Sequence, residues 1–500
     1  MVLPAFMEAL QYFTHLEVWL YILAGVALGL IFGVIPGLTS LVAMSILMPF
    51  VFLMTPEQAL PLFIGICAVS YTAGAITAIL LNIPGTGASA ATLIDGFPMT
   101  QKGEGARALG AALTSSGMGG IVSVIFALAM VFLVLPLIFA IRSADLVFLI
   151  LMGISFIAVL SGGSMLKGLI AGGVGLIISL TGLHVITGVP RFTLGTVYLL
   201  DGYSLIPVIL GLFAVPEIIS TGVRGALVQQ LDKVVLSMQG VLEGMKDVFR
   251  HWGLWLRSSI IGYIIGVIPG VGASTAIFVA YGQGKQTSKH SEKWGTGIVE
   301  GVIAPESANN AKEGGALLTT LALGIPGSGE MVILLGALMM LGIVPGIEMM
   351  TVRLPLSLLL IQVLFVGSFL GAAICLLLAP YLARVATIPA RVLVPLVMVV
   401  VFIGAFAYAE RFLDLVTLLI FGLVGLAMRK YGFNRPALLL GYILGDLFEK
   451  YLFIAYRADG PLFFMTPISL SVIFVTIALF CFGPARKLLA RRSERGAKKA

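Results

Sequence analysis

Gly33-Val34-Ile35-Pro36-Gly37 recurs letter for letter at Gly266-Val267-Ile268-Pro269-Gly270, 233 residues later. A second motif, Asn82-Ile83-Pro84-Gly85-Thr86-Gly87, has a near copy at Gly324-Ile325-Pro326-Gly327-Ser328-Gly329, 242 residues later. The two motifs keep their order in each half, so the chain reads as an internal duplication. All four copies sit in apolar chain. A Pro-Gly pair there removes a backbone donor and breaks a helix. In hydrocarbon the freed backbone groups cost several kcal/mol unless satisfied, so such breaks persist only where they are buried or line a cavity.

The composition fits that reading. Of 500 residues, 59% are hydrophobic, 11% are charged and 60 are glycine, with mean hydropathy +1.10. Soluble domains carry about a quarter charged residues, so a soluble enzyme, a nucleic-acid binder and a disordered chain are excluded. The apolar runs do not alternate in polarity, which excludes a transmembrane barrel. At about 20 residues per crossing, the chain is long enough for roughly 10–12 transmembrane helices. The expected fold is an all-α polytopic membrane protein with two inverted structural repeats, re-entrant hairpins and Pro-Gly-broken helices.

Charge sets the expected orientation. The net charge is +7, and the tail from Arg486 to Ala500 holds seven basic residues and one acid. A basic tail after an apolar run marks the cytoplasmic side. No Lys or Arg precedes Lys102, which places the N-terminus on the outer side of the membrane. The first repeat (1–221) then starts outside. The second (258–462) starts inside, after a connector (222–257) with charges and an apolar stripe at helical spacing, expected to lie on the cytoplasmic surface. A final helix (463–485) and the basic tail (486–500) complete the chain. Two copies beginning on opposite faces are the architecture of many secondary transporters. Phe6–Leu16 holds Glu8 and His15 and no basic residue, so no cleavable signal peptide is read. Cys67, Cys375 and Cys481 all lie in apolar runs and do not read as a disulfide framework.

A half-helix restarting after a break presents free N–H groups and a partial positive charge, a ready anion site. The substrate candidates are therefore Asn82, Gly85, Thr86, Gly87 and Ser89 in the first half and Gly327, Ser328 and Gly329 in the second. Two symmetry-related positive ends suit a substrate with carboxylates at both ends. The stretch Ala304–Glu313 is the most polar one flanked by apolar chain. Ser307 and Asn309 join the substrate candidates, and Asn310 joins a cation set with Thr39, Ser40, Ser274 and Thr275, because neutral oxygens suit hard cations. Lys312 and Glu313 fit either a membrane-surface loop or a functional site in the membrane. Gly25, Gly29, Gly33 and Gly37, echoed by Gly262, Gly266 and Gly270, form a small-residue face for close helix packing. No G-x-x-x-x-G-K-[ST] or H-E-x-x-H motif is present, and the four histidines are scattered. Neither an enzyme nor a self-powered ATPase is expected.

Gly33–Gly37, Asn82–Gly87, Asp95-Gly96-Phe97-Pro98, Ala304–Ala311 and Gly324–Gly329, in this order along the whole chain, resemble the large membrane subunit of the tripartite tricarboxylate transporters. The resemblance implies a bacterial inner-membrane permease that imports carboxylates such as citrate by cation symport, with Na⁺ or H⁺ as coupling ion and no other cofactor. It implies two partners, a small four-helix membrane subunit and a periplasmic solute-binding protein, and places the transport site at the Pro-Gly segments. The alternatives are an anion channel and a carboxylate carrier that needs no binding protein. Lys312-Glu313 is more charged than the resemblance leads one to expect.

Overall fold

The computed structural model describes residues 2–160, 164–184, 186–224, 237–385, 388–478 and 480, most of them helical. The basic tail, and the part of the connector carrying Val228, Leu231, Val234 and Val235, lie outside those residues. The chain begins with α1 (Val2–Gln11), α2 (Leu16–Val34), α3 (Ser40–Leu47), α4 (Pro56–Leu81), α5 (Thr92–Gln101) and α6 (Gly105–Ile138). Next come α7 (Ser143–Leu160), α8 (Met165–Ser179), an antiparallel hairpin of β1 (Gly182–Leu183) and β2 (Pro190–Arg191), α9 (Leu205–Ile209) and α10 (Val215–Arg224). The rest runs through α11 (Met238–Arg250), α12 (Trp252–Val267), α13 (Gly272–Thr287), α14 (Glu300–Leu323), α15 (Gly329–Met340) and α16 (Ile347–Met350) to α17 (Leu354–Val385), α18 (Ala390–Ala407), α19 (Phe412–Tyr431) and α20 (Arg435–Asp459).

Among the described residues, six helices are long and apolar enough to cross a membrane, or seven if Arg435–Met465 and Pro467–Ala478, bent by 60°, count as one span. Six further apolar helices are only 10–17 residues long. The chain is therefore an all-α polytopic membrane protein, with fewer unbroken spans than its length suggests. One reason is that Pro-Gly breaks divide crossings into halves. Another is that α14 is long enough to cross but carries Glu300, Glu306, Lys312 and Glu313.

The chain forms two compact units, Met1–Ile138 with Tyr203–Lys430, and Phe139–Gly202 with Tyr431–Ala500. In the smaller unit α8 and α20 approach backbone to backbone through Gly172, Gly175 and Gly441. There the hairpin residue Arg191 grips Glu449 of α20 with both terminal guanidinium nitrogens, at 2.7 and 2.8 Å.

The larger unit is built around α4 and α14, each buried along nearly its whole length. Its packing repeats itself. A Cβ on Gly25 or Gly33 of α2 would lie 2.2 Å from the carbonyl oxygen of Leu62 or Ser70 on α4. A Cβ on Gly262 or Gly266 of α12 would lie 2.5 or 2.0 Å from that of Ala308 or Lys312 on α14. Only glycine lets these backbones meet, so the small-residue faces read in the sequence are the seams of α2 with α4 and α12 with α14. Both seams end at a GVIPG turn whose last residue is left-handed, Gly37 at φ +88° and Gly270 at φ +75°.

Of the connector, α11 buries one face in the protein. Val241, Gly244, Asp247 and Val248 are buried, and Asp247 pairs with Arg107 of α6 at 2.6 Å. Met238, Leu242, Phe249 and Trp252 form a separate, exposed apolar stripe.

Candidate functional site at the helix breaks

Each NIPG-type motif is a true helix break. α4 ends on Asn82 and α14 on Gly324, equivalent positions that are both left-handed, at φ 56° and 68°. Each break then folds against the GVIPG turn of its own half. A Cβ on Gly85 would meet the Gly33 carbonyl oxygen at 2.6 Å, and one on Gly327 the Gly266 carbonyl oxygen at 2.8 Å. In the second half the Gly270 amide also donates to the Gly327 carbonyl at 3.3 Å. The two motifs recur together because they are two sides of one contact.

The halves then cross over. α3, which comes after the first GVIPG turn, packs on α15, which comes after the second break. α13, which comes after the second turn, packs on the 3₁₀ turn Gly87–Ser89 after the first break. Tyr71, Ala88 and Ala273 form one apolar cluster there, and a Cβ on Gly87 would lie 3.3 Å from Ser274 Oγ. The structure thus gathers Ser40, Gly85, Thr86, Gly87, Ser89, Ser274, Gly327, Ser328 and Gly329 around the meeting of the two halves. Ser274 and Thr275 are exposed, whereas Ser40 and Ser89 are fully buried.

The halves differ in how the helix resumes after the break. α15 begins at once, with Ser328 at its N-cap and no side-chain cap bond. After Gly85 the chain makes only the one-turn Gly87–Ser89 segment, and α5 starts at Thr92. The helical backbone thus resumes as a 3₁₀ turn leading into α5 in the first half and as a regular α-helix in the second, and in both an extended residue precedes it, Thr86 at φ −132° and Ser328 at φ −151°. Thr86 and Ser89 hydroxyls instead bond to each other at 3.3 Å.

Lys312 and Glu313 are not on a surface loop. They lie in the middle of α14, 1% and 0% exposed. Lys312 Nζ is 2.6 Å from Glu313 Oε1 and 4.0 Å from Glu330 Oε2, and it sits 4.6 Å from the centre of the Tyr71 ring. Tyr71 Oη donates to Glu330 Oε1, which also accepts from Ser40 Oγ at 3.1 Å. Glu313 Oε2 has no hydrogen-bond partner among the described residues. Four elements, α3, α4, α14 and α15, thus close around one buried charge cluster.

Glu330 is absent from the sequence-level candidates, although it is the lone charged residue of the apolar stretch 314–347 and comes directly after a break. The repeat offset puts Ser70, Tyr71 and Ala88 opposite Lys312, Glu313 and Glu330, so the charges belong to the second half alone.

The remaining candidates on α14 point elsewhere. Asn309 Nδ2 donates to Glu306 at 3.3 Å, and Thr92 Oγ1 donates to the other oxygen of that carboxylate. Asn310 Nδ2 reaches Ser368 of α17 at 3.3 Å, away from the other cation candidates. Ser307 donates to the Ile303 carbonyl of its own helix at 2.6 Å. The Asp95 motif is a latch. Its carboxylate accepts the amides of Gly295, Gly297 and Ile298 at 2.8–3.2 Å and the Tyr281 hydroxyl at 2.8 Å.

Residues 19–440 match the model of the tripartite tricarboxylate transporter TctA family. An uncharacterized 52.8 kDa protein of the TAR-I ttuC′ 3′ region of Agrobacterium vitis is 32% identical over 466 residues, covering 92% of this chain and 91% of that protein. An uncharacterized protein of the TAR-II ttuC′ 3′ region of the same organism is 33% identical over 215 residues, 42% of this chain and 89% of its own length. No solved structure matches. With its multi-pass helical fold and its duplicated breaks, the chain belongs to the tripartite tricarboxylate transporter TctA family and is a membrane-embedded transporter subunit that acts with partner subunits.

Proposed function

We propose that the chain is the permease of a binding-protein-dependent secondary transporter that imports citrate-like carboxylates by cation symport across a bacterial inner membrane. Its partners are a small four-helix membrane subunit and a periplasmic solute-binding protein. The two halves are inverted repeats, with the N-terminus periplasmic and the C-terminus cytoplasmic. The observation that carries this reading is the crossing of the halves, in which each GVIPG turn leads into a helix that packs on the other half's break. Rocking of one half against the other about that crossing exposes it to each side in turn.

The substrate carboxylate binds at the N-terminus of α15, where Ser328 is 4% exposed and leaves the first turn without a side-chain cap. Thr86 and Ser89 stand at the corresponding break of the first half, their hydroxyls against Gly74 of α4. Import of an anion against an inside-negative potential costs about 2.3 kcal/mol per net charge per 100 mV, so co-transported cations must offset the substrate's charge. Among the proposed cation ligands, Ser40, which follows Thr39, bonds Glu330 in the first turn of α15; Ser274, which precedes Thr275, lies by Gly87 at the other break, and Asn310 lies apart.

The test is [¹⁴C]citrate uptake into proteoliposomes holding all three subunits, with Na⁺ and pH gradients imposed separately. Uptake is expected only with a cation gradient and only with the binding protein. Uptake persisting with both gradients collapsed refutes symport, and uptake without the binding protein refutes the tripartite reading. Ser328→Ala is expected to weaken citrate binding about tenfold, the worth of one hydrogen bond to a charged group. Thiol labelling of Leu3→Cys and Arg495→Cys from the same side of the membrane overturns the topology.

A further inference from the structure

The cluster at the meeting of the halves has an odd charge count. Lys312 supplies one positive charge, and Glu313 and Glu330 supply two negative ones, all at least 94% buried. Among the described residues, the other titratable groups facing it are Tyr71 and Cys67 of α4. α3 contributes only the Ser40 hydroxyl. An ionised carboxylate without a counter-charge costs several kcal/mol in such surroundings. Glu330 also occupies the first turn of α15, the helix end where the substrate anion is placed. An empty, doubly ionised cluster therefore repels the anion that α15 would otherwise attract.

We propose that one monovalent cation binds at the Glu313–Glu330 carboxylates, and that its binding is what admits the carboxylate substrate at Ser328. The inference rests on the symport reading and names its coupling site. Glu313 Oε2 is the open acceptor, fully buried and without a hydrogen-bond partner among the described residues. Lys312 holds the count at one cation by neutralising one of the two carboxylates. The cation and the anion then bind with positive cooperativity through direct charge compensation, and each raises the affinity of the other by the same factor. The site takes residues from both halves, Ser40 and Tyr71 from the first and Lys312, Glu313 and Glu330 from the second. Relative movement of the halves therefore opens the same cluster that counts the charge.

The experiment titrates citrate binding to the permease together with its small membrane subunit in nanodiscs by calorimetry, in two arms. One varies Na⁺ at fixed pH, and the other varies pH without Na⁺. Wild type is expected to gain at least tenfold in citrate affinity with one of the two cations, with a slope of one. Glu313→Gln removes the excess charge, so its citrate affinity is expected to be high and flat against that cation. Lys312→Met/Glu313→Gln restores a single uncompensated carboxylate, and cation dependence is expected to return with a slope of one. Lys312→Met alone leaves two, with a slope approaching two. If Glu313→Gln fails to fold, Lys312→Met still decides, because its expected slope differs from that of wild type and of the double variant. A slope unchanged across the series, or one that does not track the charge count, overturns the proposal. Wild-type citrate affinity independent of both cations, together with gradient-free uptake, refutes the symport reading itself. Gradient-driven uptake with an unaltered slope in Glu313→Gln refutes only this site.

Discussion

Gly266→Ala tests the seam that holds the charge cluster. A Cβ at Gly266 would lie 2.0 Å from the Lys312 carbonyl oxygen and 2.8 and 2.9 Å from its carbonyl carbon and Cα. Non-bonded atoms of this kind settle at about 3.5 Å, so α12 and α14 must part by roughly 1 Å or more. Overpacking a close interface costs about 1–3 kcal/mol. Alanine recovers about 0.5–1 kcal/mol over glycine inside a helix, which leaves a net loss of up to roughly 2.5 kcal/mol. The backbone pushed aside is that of Lys312, so cation-dependent citrate binding is expected to weaken as well. Gly282→Ala is the control, because a Cβ there meets nothing within 4 Å, and it is expected to hold or raise stability. The assay is thermal unfolding of the detergent-solubilised protein, with citrate binding on the same samples. Gly266→Ala melting with Gly282→Ala, above wild type, refutes the claim that this glycine exists for backbone contact.

Asp95→Ala leaves the amides of Gly295, Gly297 and Ile298 and the Tyr281 hydroxyl without their acceptor. It is expected to cost about 2–4 kcal/mol, with Asp95→Asn intermediate. Faster proteolysis within residues 288–299 checks it, and an unchanged cleavage rate contradicts it. His251 Nε2 lies 3.3 Å from Glu300 Oε1, and that bond raises the imidazole pKa above its ordinary value. Its stabilising contribution is fully present below about pH 6.5 and is lost as pH rises through the raised folded value. His251→Gln is expected to flatten that part of the melting temperature's pH dependence between pH 6 and 9, and the same slope in the variant contradicts the assignment.

Much of this protein was legible before folding. Membrane character comes from composition, because so few charges cannot cover a soluble surface of this size. The duplication is literal in Gly33–Gly37 and Gly266–Gly270. The breaks were readable as well, because proline's missing donor and glycine's freedom act locally. Membership of the family was carried by motif order, which needs no coordinates. Sequence order could not supply which motif touches which. Ser40 and Glu330 are 290 residues apart and share a hydrogen bond, and Tyr71 and Glu330 are 259 apart. Lys312 and Glu313 read equally well as a solvated loop, since local pattern does not distinguish a charge buried by other helices from one at a surface. The unequal restart after the breaks, a 3₁₀ turn in one half and an α-helix in the other, was equally hidden, because Gly85-Thr86-Gly87 and Gly327-Ser328-Gly329 are alike as text. Tertiary packing decided these points, since burial and charge pairing depend on what the rest of the chain brings alongside.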